Sequence, residues 1–148
     1  MHMRIVKLAL AATAATLGLS AAARADDMPF TPGNYAEVTD VSIDDGHFLE
    51  YMKFLDTESK AQDDFARSQG WMIETRVYGN VHKRAAEPDL FILRTFKSIP
   101  DAAEQLRRER VMEEHFKTSQ AQFEAASGAR AKFRKIGDVM LLQELILK

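Results

Sequence analysis

The sequence predicts an α+β domain of four strands and two helices, in the order β-α-β-β-α-β. Three observations carry this. Two long stretches repeat apolar residues at three- and four-residue steps, the spacing of a helix face. Four shorter stretches alternate or are rich in β-branched and aromatic residues, as strands are. The two middle strands follow one another with only glycine, asparagine, proline and charged residues between them, which marks a hairpin.

The first 25 of the 148 residues stand apart from this pattern. Residues 1–7 carry His2, Arg4 and Lys7 and no acid, and residues 8–19 (LALAATAATLGL) are uncharged. Residues 20–25 (SAAARA) place small side chains at Ala23 and Ala25. That is the pattern of a cleaved secretory signal peptide, with the cut expected after Ala25. The apolar run falls short of the ~18–20 residues a spanning helix needs. Bacterial export to the periplasm or the medium is therefore expected, with no membrane contact after cleavage. Without Arg4, Lys7 and Arg24 the rest of the chain has 17 basic and 22 acidic side chains, a net charge of −5. An acidic domain with no long basic run is a poor partner for nucleic acid. The chain has no cysteine, which excludes disulfides, thiol catalysis and iron–sulfur clusters.

Residues 26–34 (DDMPFTPGN) read as a leader loop, followed by a single domain over residues 35–148. The first strand is expected over residues 35–43, and Asp44-Asp45-Gly46 then turns the chain. Asp44 or Asp45 would cap the following helix. Phe48, Met52, Leu55, Ser59, Gln62 and Phe65 would form its inner face, and Gly70 its C-terminal cap. Strands follow at residues 71–78 and 90–97, joined by a hairpin over residues 79–89. Ser98 would cap the second helix, with Pro100 in its first turn and Asp101 in the capping-box position. Its inner stripe would be Leu106, Met112, Phe116, Ser119, Phe123 and Ala126. Ser127-Gly128 would break it, one or two helical turns would resume over residues 129–135, and residues 139–147 (VMLLQELIL) would close the sheet. With right-handed crossovers this is the ferredoxin-like arrangement, strand order 4-1-3-2, with both helices on one face.

A sheet with one wet face should carry polar side chains at every second position. Here the third and fourth strands are apolar on both faces: Leu90, Ile92 and Phe96 against Phe91 and Leu93, and Val139, Leu141, Leu145 and Leu147 against Met140, Leu142 and Ile146. Two helices cover one face only, so a second copy is expected on the other. In element order, size and this doubly apolar last strand, residues 35–147 resemble the dimeric α+β-barrel superfamily. That superfamily includes antibiotic-biosynthesis-type monooxygenases, EthD-like and NIPSNAP-like proteins and stress-responsive barrel proteins. The resemblance implies a homodimer whose two sheets close one barrel. It assigns no catalytic residue, because the superfamily has no short signature.

Among candidate chemical groups, His47, Tyr51, Phe54 and Glu58 form a stripe beside the apolar one. His47 with Tyr51 is the minimum equipment for proton transfer, although an exposed first-turn histidine is the plainer reading. Glu74, Arg76 and Tyr78 share one face of the second strand, and Arg94 lies in the third. With His82 in the hairpin these would bind an anionic ligand, or else form an internal ion-pair network. The histidines lack metal-ligand spacing, so neither a metal nor another cofactor is expected. Three functions fit: a binder of a small aromatic or acidic molecule, a cofactor-independent oxygenase, isomerase or lyase, or a non-catalytic structural or stress-related dimer. The export reading is checked first. Intact-mass analysis of the protein recovered from a bacterial periplasm should give a chain beginning at Asp26, and a retained residue 1–25 segment would refute it.

Overall fold

The computed structural model describes residues 28–148, so the signal-peptide segment lies outside the described residues. The elements run β1 (Phe30–Ile43), α1 (Phe48–Phe54), a π-helical turn (Leu55–Ser59), α2 (Lys60–Ser68), β2 (Glu74–Gly79), β3 (Leu90–Phe96), α3 (Ala102–Phe116), α4 (Gln120–Arg130) and β4 (Arg134–Leu147). The strands form one antiparallel sheet in the order β2-β3-β1-β4, with helices packed on it. The protein is α+β.

Several boundaries differ from those expected, each for a local reason. The stretch read as a leader loop is largely strand, because Phe30, Thr31 and Pro32 stand opposite Leu147, Ile146 and Leu145 at the end of β4. β4 begins at Arg134 rather than at residue 139, and no helical turns resume before it beyond Arg130. Arg134, Lys135 and Ile136 already pair with Ile43, Ser42 and Val41. A bulge in β4 at Gly137-Asp138, opposite Asp40, lets the long pair continue. A Cβ at Gly137 would come within 3.2 Å of the Asp40 Cβ.

The helix ends also follow their caps. Neither Asp44 nor Asp45 caps α1; His47 occupies that position without a side-chain bond. The Asp44 carbonyl instead accepts from the His47 amide across a tight turn, with Gly46 at φ +85°. Gly70, at φ +72°, closes α2 as expected: its amide reaches the Arg67 carbonyl and the Trp71 amide reaches Ala66. Asp101, not Ser98, caps α3 by accepting from the Glu104 amide. The expected second helix breaks at Lys117, which takes a left-handed conformation, and not at Ser127-Gly128. Ser119 then opens α4 through a reciprocal capping box with Gln122, so it is a cap and not part of an inner stripe.

On the inner face of the sheet, Val41, Leu90 and Ile92 meet Tyr51 and Leu55 in the buried core. The stripe buried on the first helical rod is Tyr51, Leu55, Ser59 and Asp63, all four residues apart. On a regular α-helix such a stripe rotates by about 40° per step. The wider π-helical turn in its middle reduces that rotation and holds the four in line over β3. Phe48, expected on this face, is exposed. With so few buried side chains, each one matters. Leu90→Ala should destabilise the fold by about 2–5 kcal/mol in chemical denaturation, and a loss below ~1 kcal/mol would mean that this cluster is not the core.

Candidate functional site

The contact between helix and sheet changes character along the stripe. At Tyr51 and Leu55 it is apolar and buried. One and two turns on, the inner residues are Ser59, which is small, and Asp63, which is charged. Asp63 Oδ1 accepts from Arg94 Nε at 3.2 Å, and Glu37 Oε1 lies 3.9 Å from the same guanidinium. Register explains the meeting, since Arg94 stands opposite both Glu37 on β1 and Thr75 on β2, on the face that carries Ile92. This pair props the end of α2 over the sheet. Beside it opens a cavity of about 460 Å³. Arg94 and Phe96 form its floor, Gln62 and Asp63 one wall, and Trp71 and Met72 one end. Arg108 and Met112 of α3 and Phe123, Ser127 and Arg130 of α4 close the other side.

Each of the surrounding arginines is held differently. Arg94 has Asp63 and Glu37. Arg108 lies 2.7 Å from Glu104, with its guanidinium 5.3 Å from the Trp71 ring. Hydrogen bonds from Arg107 and then Arg108 hold the Glu104 carboxyl at about 2. The Arg130 guanidinium sits over the Phe54 ring, 3.8 Å from its centre, and its one carboxylate, Glu58, stands 3.7 Å away. Arg134 donates to the Ser127 hydroxyl at 2.9 Å, and its guanidinium is 6.0 Å from the Tyr51 ring. Burial raises the pKa of Tyr51 above 10.0, opposed by Arg134, Arg130 and Arg94 in that order. The charges of these arginines thus partly offset the burial of the phenol.

The residues singled out from sequence fall into separate places. The His47 imidazole is 2.9 Å from Glu50 and stacked on Phe133, with ring centres 5.0 Å apart. Tyr51 turns inward to Phe54 and the core. The two share a backbone hydrogen bond, Tyr51 amide to His47 carbonyl, but their side chains go different ways. Glu74, Arg76 and Tyr78 do cluster, since Tyr78 and Glu74 both raise the pKa of Arg76. They lie on the outer face, because Arg76 pairs with Leu93 and not with Arg94. The sheet thus separates them from Arg94, the one member of the expected ligand set that lines the cavity. His82 is exposed in the loop between β2 and β3. Asp63, Arg108, Arg130 and Arg134 were missed. The four-residue spacing of Tyr51, Leu55, Ser59 and Asp63 was the available signal for the first; nothing local marks the arginines.

Among the described residues no group of three or more His, Asp or Glu side chains is placed to hold a metal ion. Among them, too, no helix is long and apolar enough to cross a membrane. No protein-family profile, curated protein or solved structure matches the chain. The raised Tyr51 pKa has a signed consequence. The folded state favours the neutral phenol, so this contribution is complete below about pH 10 and is lost as pH rises through the raised value. Denaturant midpoints measured across this range should fall more steeply for the native chain than for Tyr51→Phe. Equal slopes would place Tyr51 in an ordinary solvated setting.

Proposed function

We propose that this chain is an exported homodimeric α+β-barrel protein of ferredoxin-like topology. It binds a small organic molecule, aromatic or acidic, between helices and sheet. The carrying observation is the cavity of about 460 Å³, within the size range of small-molecule sites. Its walls join aromatic and methionine side chains to arginines, which is the mixed lining such ligands need.

The dimer part of the reading is supported by what the helices leave uncovered. On the outer face Val38 stands between Leu93 and Met140, and Ala36 between Thr95 and Leu142. No side chain of β4 is buried, and Met140 and Leu142 leave their apolar side chains exposed on this outer face. A second copy facing this surface would remove an apolar patch that a single chain leaves in water. The same surface carries Glu74, Arg76 and Tyr78 at its β2 edge, where they would form a polar rim.

Native mass spectrometry of the purified protein tests both parts. The expected spectrum shows a dimer at micromolar concentration with a co-purified small molecule that solvent extraction removes. A stable monomer would overturn the barrel. A dimer whose cavity binds neither a natural extract component nor small aromatic probes would favour the purely structural alternative.

A further inference from the structure

Resting on the cavity reading above, the charges around the cavity say more about its ligand. Two of the arginines have a carboxylate within hydrogen-bond distance, Arg94 from Asp63 and Arg108 from Glu104. The other two do not. The side chain of Arg130 is only 18% exposed, its one carboxylate neighbour is beyond hydrogen-bond distance, and that Glu58 is itself 64% exposed. Arg134 has a neutral hydroxyl, that of Ser127, as its hydrogen-bond acceptor. The Nε atoms of both are buried without an acceptor. Burial lowers the pKa of Arg130, with Glu58 opposing and Arg134 adding to the fall. Two partly buried guanidiniums with unpartnered Nε atoms, and a single carboxylate near Arg130, carry a desolvation cost that an anion would relieve.

The cavity reaches this place. Ser127 and Arg130 both line it; of the two acids on its wall, Asp63 accepts from Arg94, whereas Glu109 accepts only from the neutral amide of Gln105. At the other end lie Trp71, Met72 and Phe96, a largely apolar lining. We propose that this cavity takes a small monocarboxylic acid, its carboxylate seated against Arg130 and the Ser127 hydroxyl with Arg134 behind, and its apolar body toward Phe123, Met72 and Trp71. A carboxylate suits the seat because a guanidinium and a hydroxyl supply parallel donors to its two oxygens. Arg134 then serves as a positioning residue, holding the Ser127 side chain.

The test uses the purified protein with benzoate and phenylacetate against benzamide and phenylacetamide, read by calorimetric titration. The acids should bind, the neutral amides should bind at least about tenfold more weakly, and Arg130→Met should weaken the acids by about ten- to hundredfold. Arg130→Lys should recover part of that loss, and circular dichroism checks that both variants fold. Should Arg130→Met fail to fold, the side-chain Nε–H resonances of Arg130 and Arg134 in the native chain decide, since added phenylacetate should shift both. Amides that bind as well as acids, acids unaffected by Arg130→Met, or resonances that do not move would overturn the carboxylate seat while leaving the cavity reading in place. No binding by any of the four probes would overturn both.

Discussion

The pairing of Asp63 with Arg94 is the constraint on which the arrangement of the helical layer turns. Had both positions been apolar, the stripe from Tyr51 onward would have collapsed onto Ile92 and Phe96 as it does at Leu55, and the layer would be solid. A carboxylate and a guanidinium, each mostly withdrawn from water, must instead stay in register and keep hydrogen-bond geometry. They act as a strut at the point where Ser59 has already thinned the contact. Removing one partner would strand the other, at a cost of about 3–5 kcal/mol. The cavity is thus the counterpart of the core: one helix face, filled at one end and propped open at the other.

The sheet shows the opposite problem, too much apolar surface for the elements that cover it. The core gathers on β1 and β3, the two central strands, where Val41, Leu90 and Ile92 are buried. β4 runs as a 14-residue edge, and neither helical pair reaches far enough to bury it. Natural sheets shorten, charge or cover such edges. Here Lys135, Asp138 and Glu144 supply scattered charge, yet the central run from Val139 to Leu142 has none. That imbalance is the physical reason the proposed barrel calls for a second copy.

Much of this was legible from residues alone, and the failures have definite causes. Element order and type followed from periodicity, and the inward face of β3 from the alternation of Leu90 and Ile92 with Phe91 and Leu93. Gly70 was recognisable because only a cap needs its positive φ there. The rotation of the first helix was not legible, because the π-helical turn changes which residues share a face without leaving a composition mark. The same holds for Lys117, an ordinary helix former that adopts a left-handed conformation because Ser119 and Gln122 start a new helix two residues on. Arg76 and Arg94 fell on opposite faces because hairpin register sets their parity, and an 80–89 loop of ten residues does not declare its register. Arg130 and Arg134 stand only four residues apart, but nothing in that spacing shows that the turn between α4 and β4 brings both near Tyr51.

The weak attachment of α3 and α4 connects these points. Neither helix buries a single side chain. One end of the pair is held by rings: Phe65 stacks on His115 at 3.8 Å and meets Phe116 edge-on, and Phe116 meets Phe123 in turn. The other end is held by Arg130 on Phe54 and by Arg134 bonded to Ser127. Between these two anchors lies the cavity, where close-packed side chains would ordinarily join helix to sheet. A bound molecule would supply the missing contacts, so its binding energy would add directly to the stability of the helical layer, by an amount that grows with the logarithm of its concentration. On the proposed reading, the arginines paired with carboxylates fix the shape of the site, and Arg130 and Arg134 would draw part of the layer's stability from the ligand.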